Sequence, residues 1–221
     1  MIDINQRNTY DEFTLNELGV NEMITSQRQK KKLETRKLIL DTALDKFAKD
    51  GLMATRTSDI AAAAKVSHGT VFAHFPTREI LLNEVIEEFG TGITKRLHEL
   101  VNINSGMEEV LEAHLKGISE NEIFYTRLVS EGHLLNESAR NSWVMIQSAI
   151  SFHIIQVAER EIKAGNIRDM AVNMLFNTWV GLIHYYLVNG DLFAPGECIL
   201  KRYSKQLIEH YINLITIKKG E

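Results

Sequence analysis

The chain has 221 residues, 44% of them hydrophobic and 24% charged, which is the mixture of a globular protein with ample material for a core. No apolar run approaches the roughly 20 residues of a membrane span, and no signal peptide opens the chain. The single cysteine, Cys198, excludes an internal disulfide framework and favours a reducing, cytoplasmic location.

The net charge of −4 argues against a nucleic-acid-binding protein, but the distribution of that charge argues for one. Residues 27–80 hold 11 Lys or Arg and 6 Asp or Glu, which gives this segment a net charge of +5. Residues 1–26 and 81–221 carry net charges of −4 and −5. A basic segment in an acidic chain predicts a localised contact with phosphates.

Residues 1–32 are interpreted as an N-terminal extension. The favoured interpretation is a mobile acidic tail, and the alternative is a short amphipathic helix that docks on the rest of the protein. Its last residues, 28–32, include Arg28, Lys30, Lys31 and Lys32. This cluster either lies along DNA phosphates or forms a solvated lead-in to the next helix, and both interpretations remain open.

Residues 33–80 have the pattern of a helix-turn-helix unit. A first helix is predicted from about residue 34 to 49, with Leu38 among its core-facing residues and Gly51 at its C-terminal end. Thr57 and Ser67 are predicted to cap two short helices. Helices this short are marginal in water, so they need the first helix beneath them. In such a unit the last helix enters a DNA major groove.

Two stretches, TRKLILDTALDKFAKDG and TSDIAAAAKVSHGTVFAHFPTREILL, resemble the tetracycline-repressor-like (TetR-family) transcriptional regulators over roughly residues 33–90. The resemblance implies that the position of His68 reaches bases and that other positions meet the DNA backbone. We therefore predict a DNA-binding set of Thr57, Ser58, Ser67, His68, Gly69, Thr70, Phe72, His74 and Arg78. Phe72 stands where the family usually has tyrosine, so it either makes an apolar contact with a thymine methyl or sugar, or packs inside.

Residues 81–221 are predicted to form an all-α ligand-binding and dimerisation body, which brings the chain to about nine helices. A helix over 78–101 links head and body; Ile80 is expected to face inward, and Gly90 and Gly92 allow a bend or break. Residues 105–108 match a capping box. Further helices are predicted over 122–134, 137–164, 169–188 and 197–217.

In this family the body holds a small-molecule pocket, so the resemblance implies an apolar or aromatic effector. Six polar or aromatic residues on otherwise apolar helices are the candidates for contacting it: His114, Tyr125, Trp143, Gln147, Asn177 and Trp179. For each of them taken singly, a core residue with a satisfied hydrogen bond is the favoured alternative.

The two last helices carry more large apolar residues than one core-facing stripe requires, so we predict a homodimer through 169–188 and 197–217. Leu207 and Tyr211 are the expected interface positions. No metal-ligand spacing, phosphate loop or catalytic motif is present, so neither a cofactor nor an enzyme activity is predicted.

We therefore predict that the protein is a repressor and that a small molecule releases it from a pseudo-palindromic operator. A ligand-independent architectural DNA-binding factor is the alternative, followed by a helical enzyme or adaptor.

Overall fold

The computed structural model describes residues 7–102 and 104–217, with side chains from residue 26 onward. The all-α prediction is confirmed: over these residues the chain forms ten α-helices, a 3-10 turn at Gly132–Leu134 and a single isolated bridge between Ile167 and Thr216. None of the described helices is both long and apolar enough to cross a membrane. The helices are α1 Arg7–Asp50, α2 Thr57–Ala64, α3 His68–His74, α4 Arg78–Leu100, α5 Met107–Ser119, α6 Glu122–Glu131, α7 Glu137–Lys163, α8 Val172–Val188, α9 Gly190–Phe193 and α10 Ile199–Ile215.

Helix α1 begins at Arg7, well before the start near residue 34 that its apolar pattern predicts. Residues 20–50 contain neither glycine nor proline, so nothing in that stretch interrupts helical hydrogen bonding. The predicted boundary at residue 32 therefore falls inside a continuous helix. Residues 1–6 lie outside the described residues, and the mobility of the extension stays a prediction.

Local sequence signals explain most helix ends. Gly51 ends α1 with a φ of +101°, a left-handed conformation that favours glycine, and its N–H donates to the Phe47 carbonyl. Thr77 Oγ1 accepts a hydrogen bond from the Ile80 N–H at 3.1 Å and caps α4, as the order Pro76–Thr77 indicates. The predicted capping box of Ser105 and Glu108 is not formed: Gly106 is the N-cap of α5, and only the Glu109 carboxylate bonds back, by accepting the Gly106 N–H.

One continuous core joins the helix-turn-helix head to the helical body. Ile39, Phe47 and Phe75 of the head and Leu81 and Val85 of α4 are fully or almost fully buried in it. The predictions for Leu38 and Ile80 were wrong: their side chains are 47% and 41% exposed. Both residues lie on their helices next to the buried apolar stripe. The helical period of 3.6 residues predicts which face is buried, but it does not show where that face ends.

Helices α4 and α7 approach each other closely where Gly90 faces Ile146. A Cβ atom at Gly90 would overlap the Cγ1 and Cδ1 atoms of Ile146. Gly92, two residues later, has no atom within 4 Å of the corresponding position. Helix α4 nevertheless runs unbroken through both glycines, so it has no break there. Gly90 is therefore a contact residue that lets the two helices touch.

We expect Gly90→Ala to lower the free energy of unfolding by about 1–3 kcal/mol, because the added methyl group overfills the contact with Ile146. Gly92→Ala is the matched control and should raise stability by up to about 1 kcal/mol, since it only improves helix propensity. Urea denaturation of both variants measures the difference. Equal effects of the two substitutions would contradict the proposed role of Gly90.

The last two long helices differ in how much of their apolar surface the chain itself buries. On α10, Leu207 and Tyr211 are 3% and 0% exposed, and the Tyr211 hydroxyl donates to the Leu175 carbonyl of α8. Their prediction as interface positions is therefore corrected: both belong to the core of one chain. Helix α8, in contrast, leaves Met174, Tyr185 and Val188 about half exposed.

Candidate functional site

The head presents helix α3 on a turn that is fixed by side-chain hydrogen bonds. The Ser67 hydroxyl accepts the Thr70 N–H at 3.0 Å and shares a second hydrogen bond with the Thr70 hydroxyl at 2.8 Å. This confirms Ser67 as the N-cap of α3. Lys65 ends α2 with a φ of +56°, which turns the chain sharply before Ser67.

Thr57 does not cap α2, contrary to the prediction. Arg56 occupies the N-cap position, and its N–H donates to the Asp59 carboxylate at 3.2 Å. The Thr57 hydroxyl is thereby free to bond Nε2 of His68 at 3.1 Å. This hydrogen bond brings the first residue of α2 against the first residue of α3, so the N-termini of the two helices lie side by side.

Five of the nine residues predicted to contact DNA are exposed: Ser58, Ser67, His68, Gly69 and Phe72. Phe72 is 42% exposed, which removes the interpretation that it packs inside. Its ring meets the His68 ring edge to face, with centroids 4.6 Å apart. The two rings lie one helical turn apart and form a small aromatic surface beside hydroxyl groups, suited to base edges and thymine methyls.

Thr70 and His74 are half-buried on the same short helix. Burial lowers the pKa of His74 below its usual value, with a further effect from the positive charges of Lys32 and Arg36. Two basic residues of α1 therefore lie close enough to the end of α3 to act on His74 electrostatically. A neutral histidine still offers one N–H to a phosphate oxygen.

The guanidinium group of Arg78 is already bonded within the head, so it is not fully available to bind a DNA phosphate. Its Nε donates to the Thr55 carbonyl at 2.7 Å, one of its Nη atoms donates to the Leu52 carbonyl, and its guanidinium lies 5.6 Å from the Phe47 ring centroid. These bonds brace the segment between α1 and α2. A phosphate contact by Arg78 stays a prediction, and the remaining N–H groups would have to make it.

Helix α4 carries an acidic row immediately behind the basic head. Glu79, Glu84, Glu87 and Glu88 line an open groove of about 570 Å³ between α1, α4 and α7. Arg36 pairs with Glu84, and Lys37 Nζ lies 3.6 Å from Glu88. Positive and negative surfaces therefore meet along the α1–α4 contact.

In the body, three of the six predicted effector residues come together around the Tyr125 hydroxyl. It lies 2.9 Å from Nε2 of His184 and 3.5 Å from the amide nitrogen of Gln147, and its ring packs edge to face against Trp143. Burial raises the pKa of Tyr125 and lowers the pKa of His184 to about 4. Tyr125, Gln147 and His184, which we call the tyrosine cluster, therefore form a neutral hydrogen-bonded group.

His114 and Trp179 make a second buried pair. The Trp179 indole N–H donates to Nδ1 of His114 at 3.1 Å, so the neutral ring carries its proton on Nε2. That Nε2 is buried and has no hydrogen-bond partner among the residues that the structure describes. Burial, and secondarily the nearby His184, lowers the pKa of His114 to about 3. The ring therefore stays neutral and offers one unused donor.

The sixth predicted effector residue, Asn177, lies elsewhere, exposed on α8. An open groove of about 800 Å³ between α4 and α7 is lined by residues outside the predicted set, including His98, Met145 and Ile146. His184 has the same sequence signal, a polar residue on an otherwise apolar helix, but was not in the predicted set; its contact with Tyr125 now places it at this position. Within the described part of the chain, no group of three or more His, Cys, Asp and Glu is arranged to hold a metal ion.

Comparison with known proteins identifies the head. The profile of the bacterial regulatory proteins of the tetR family matches residues 39–85. The HTH-type transcriptional repressor Rv3405c of Mycobacterium tuberculosis is 48% identical over 60 residues, which cover 27% of this chain and 32% of that protein. The match therefore spans about a third of the length of this curated relative.

Solved structures extend the likeness to the whole fold. A putative transcriptional regulator from Saccharomonospora viridis in complex with choline has a TM-score of 0.71 at 21% identity, and the match covers 84% of this chain and 99% of that chain. FadR from Bacillus subtilis in complex with stearoyl-CoA has a TM-score of 0.64 at 18% identity, covering 79% and 96%. The head, residues 39–85, therefore matches the tetR family of bacterial regulatory proteins, and the chain as a whole shares the all-helical fold of these solved structures.

Proposed function

We propose that this protein is a homodimeric DNA-binding repressor that a small molecule releases from a pseudo-palindromic operator. The observation that carries the proposal is the exposed surface of α3, where His68 and Phe72 stand beside the hydroxyl of Ser67 on a basic head. A surface that combines base-reading side chains with surrounding cations fits the major groove of DNA.

Dimerisation is supported by an exposed stripe of residues on α8. Met174, Thr178, Gly181, Tyr185 and Val188 are all exposed and recur at intervals of four, three, four and three residues. This spacing keeps one face of a helix directed at a partner helix. Gly181 stands in the middle of the stripe with no atom near its Cβ position, so a second α8 could approach closely there. A two-fold axis would pair the stripe with itself.

In such a dimer the two heads contact successive major grooves about 34 Å apart, which predicts an operator of two inverted half-sites. The relatives named as repressors support repression as the direction of control.

Release by an effector is supported by two solved relatives in complex with small molecules, one with choline and one with stearoyl-CoA. In this chain the tyrosine cluster and the free Nε2–H of His114 offer polar anchors in an apolar body. A molecule that binds the DNA-free conformation better would lower operator affinity, typically through a coupling of about 1–3 kcal/mol.

The close packing of Tyr125 against Trp143, Gln147 and His184 favours a second candidate, a ligand-independent DNA-binding factor. These side chains contact one another, so a ligand would have to displace some of them.

The experiment for DNA binding is selection of duplexes from a random library, followed by fluorescence anisotropy over a range of salt concentrations. We expect two inverted half-sites, and affinity that falls steeply as salt rises. His68→Ala should change the preferred base at one pair per half-site, a loss of about 1–3 kcal/mol there. His133→Ala, at an exposed histidine of the body, is the control and should leave the selected sequence unchanged. Selected sequences that His68→Ala does not alter would overturn the assignment of base readout.

A further inference from the structure

Two hydrogen-bonded chains in the centre of the body end on histidine rings. In the first, the Trp179 indole N–H donates to Nδ1 of His114 at 3.1 Å. In the second, the Gln147 amide donates to the Tyr125 hydroxyl at 3.5 Å, and that hydroxyl donates to Nε2 of His184 at 2.9 Å. Each neutral imidazole accepts a hydrogen bond on one nitrogen, so its proton lies on the other nitrogen.

Both rings therefore offer an N–H donor, and the nitrogen of each ring that could accept is already occupied. The donor of His114, its Nε2–H, belongs to a side chain that is 0% exposed, and it has no partner among the described residues. A buried donor without a partner is costly, because it has lost its hydrogen bond to water. A molecule that supplies an acceptor oxygen at this point would recover that loss.

The surroundings of the two rings supply no charge that could balance a charged ligand. Burial is the main cause that lowers the pKa of His114 and His184 and raises the pKa of Tyr125, and no Lys, Arg, Asp or Glu of the described residues contributes to these shifts. An ion brought here would lose its hydration without gaining an ion pair. Aromatic rings attract cations, but the N–H groups present their positive ends to the ligand and oppose that attraction.

Aromatic side chains surround the two chains. Trp179 packs on Tyr211 with ring centroids 5.1 Å apart, and Trp143 packs edge to face on Tyr125 at 5.4 Å. Tyr125 is fully buried but Trp143 is only half-buried, so the Trp143 ring reaches solvent and can move aside for a ligand. A water molecule at Nε2 of His114 would gain one unpaired side-chain partner, whereas buried waters typically make about three hydrogen bonds. An apolar organic molecule would use both the donor and the aromatic walls.

We infer that the effector is an uncharged apolar or aromatic molecule with an acceptor oxygen, as in a ketone, an ester or a lactone, and that this oxygen accepts the Nε2–H of His114. The inference deepens the proposed effector control and rests on it for its biological role. It also separates this chain from the two solved relatives in complex with choline, a cation, and stearoyl-CoA, an anion.

The test is titration of the full chain, without DNA, with four probes that share a phenyl ring. Acetophenone carries the acceptor oxygen, isopropylbenzene has the same shape without it, benzoate is an anion and phenyltrimethylammonium is a cation. The signals of the two tryptophan indole N–H groups are followed by NMR, and Trp143→Phe assigns them. We expect acetophenone to shift the Trp179 signal and to bind about 10-fold more tightly than isopropylbenzene, because it pairs the buried donor. The two ions should leave that signal in place.

Substitutions of His114 test the donor itself. His114→Phe keeps a planar ring without an N–H, so it should remove the preference for acetophenone over isopropylbenzene. His114→Gln keeps an N–H donor and should retain most of that preference, which also covers the case in which His114→Phe does not fold. His210→Phe, at an exposed histidine of α10, is the matched control and should leave the preference unchanged.

Equal binding of acetophenone and isopropylbenzene, tighter binding of either ion, or a preference that survives His114→Phe would overturn the inference. A Trp179 signal that neither acetophenone nor longer phenyl ketones shift would overturn it as well. Release from selected DNA by a charged molecule, with no response to ketones, would overturn the inference and leave the proposed function intact. Ketone binding to a protein that selects no DNA would do the reverse.

Discussion

Gly181→Glu is expected to turn the dimer into a folded monomer and to lower affinity for a two-half-site operator by at least about 100-fold, the scale at which linked binding events exceed single ones. The substitution suits the test because the glycine is exposed and no atom lies within 4 Å of its Cβ position, so one chain alone accommodates a side chain there. Across a two-fold axis, two glutamates would meet in an apolar contact without partners.

Light scattering after size-exclusion chromatography measures the mass, and circular dichroism checks that the helices remain. Met145→Glu is the matched control, because Met145 is also a largely exposed apolar residue but lies on α7. It should leave both mass and operator affinity unchanged. A wild-type mass near one chain at micromolar concentration would end the dimer proposal, and dissociation by Met145→Glu alone would place the interface on α7.

Acidification is expected to destabilise the protein well before most carboxylates protonate. The pKa values of His114 and His184 are about 3 and about 4 in the folded protein, chiefly because of burial, against about 6.5 in an unfolded chain. Below pH 6.5 the unfolded state therefore binds two more protons than the folded state. Stability is fully present above that pH and falls by about 1.4 kcal/mol per pH unit for each histidine, so about 4 kcal/mol is lost by pH 5.

Urea denaturation at pH 7, 6 and 5, at one protein concentration, measures this slope. His184→Gln should halve it, because glutamine can still accept from the Tyr125 hydroxyl but does not titrate. His210→Gln, at an exposed position of α10, should leave the slope unchanged. Stability that is flat between pH 7 and pH 5 would show that the two rings are not held neutral by the fold.

The sequence predicted the helices well where a short local signal marks their ends. Ser67 and Thr77 were recognisable as caps because a hydroxyl residue directly precedes an apolar repeat, and both bonds are present. Thr57 had the same signal, yet Arg56 takes the N-cap because Asp59 bonds back to its N–H. Arg56 and Thr57 were thus two possible N-caps of the same helix, and the packing of α2 against α3 decided between them.

The sequence could not predict which neighbouring helix, or which other chain, each apolar helix face packs against. Leu207 and Tyr211 are buried as an apolar pair, but inside one chain, where Tyr211 bonds to α8; periodicity does not identify such a partner. The contacts that Arg127 and Glu131 of α6 make with the end of α1 and with Met53 had no sequence signal, since these partners are backbone groups 78 or 79 residues away. Tertiary contacts of this kind leave no local pattern.

The acidic row on α4, which lies beside basic residues of α1, has a kinetic consequence for the proposed binding of DNA. Charges separated in this way give the protein a dipole moment. The electric field of a DNA duplex orients the protein through this dipole before the two surfaces touch. The field disfavours encounters in which α4 faces the DNA, whereas it favours encounters in which α3 faces the DNA. Charge reversal at Glu87 or Glu88 would therefore act mainly on the association rate, and dissociation from the bound site would change little.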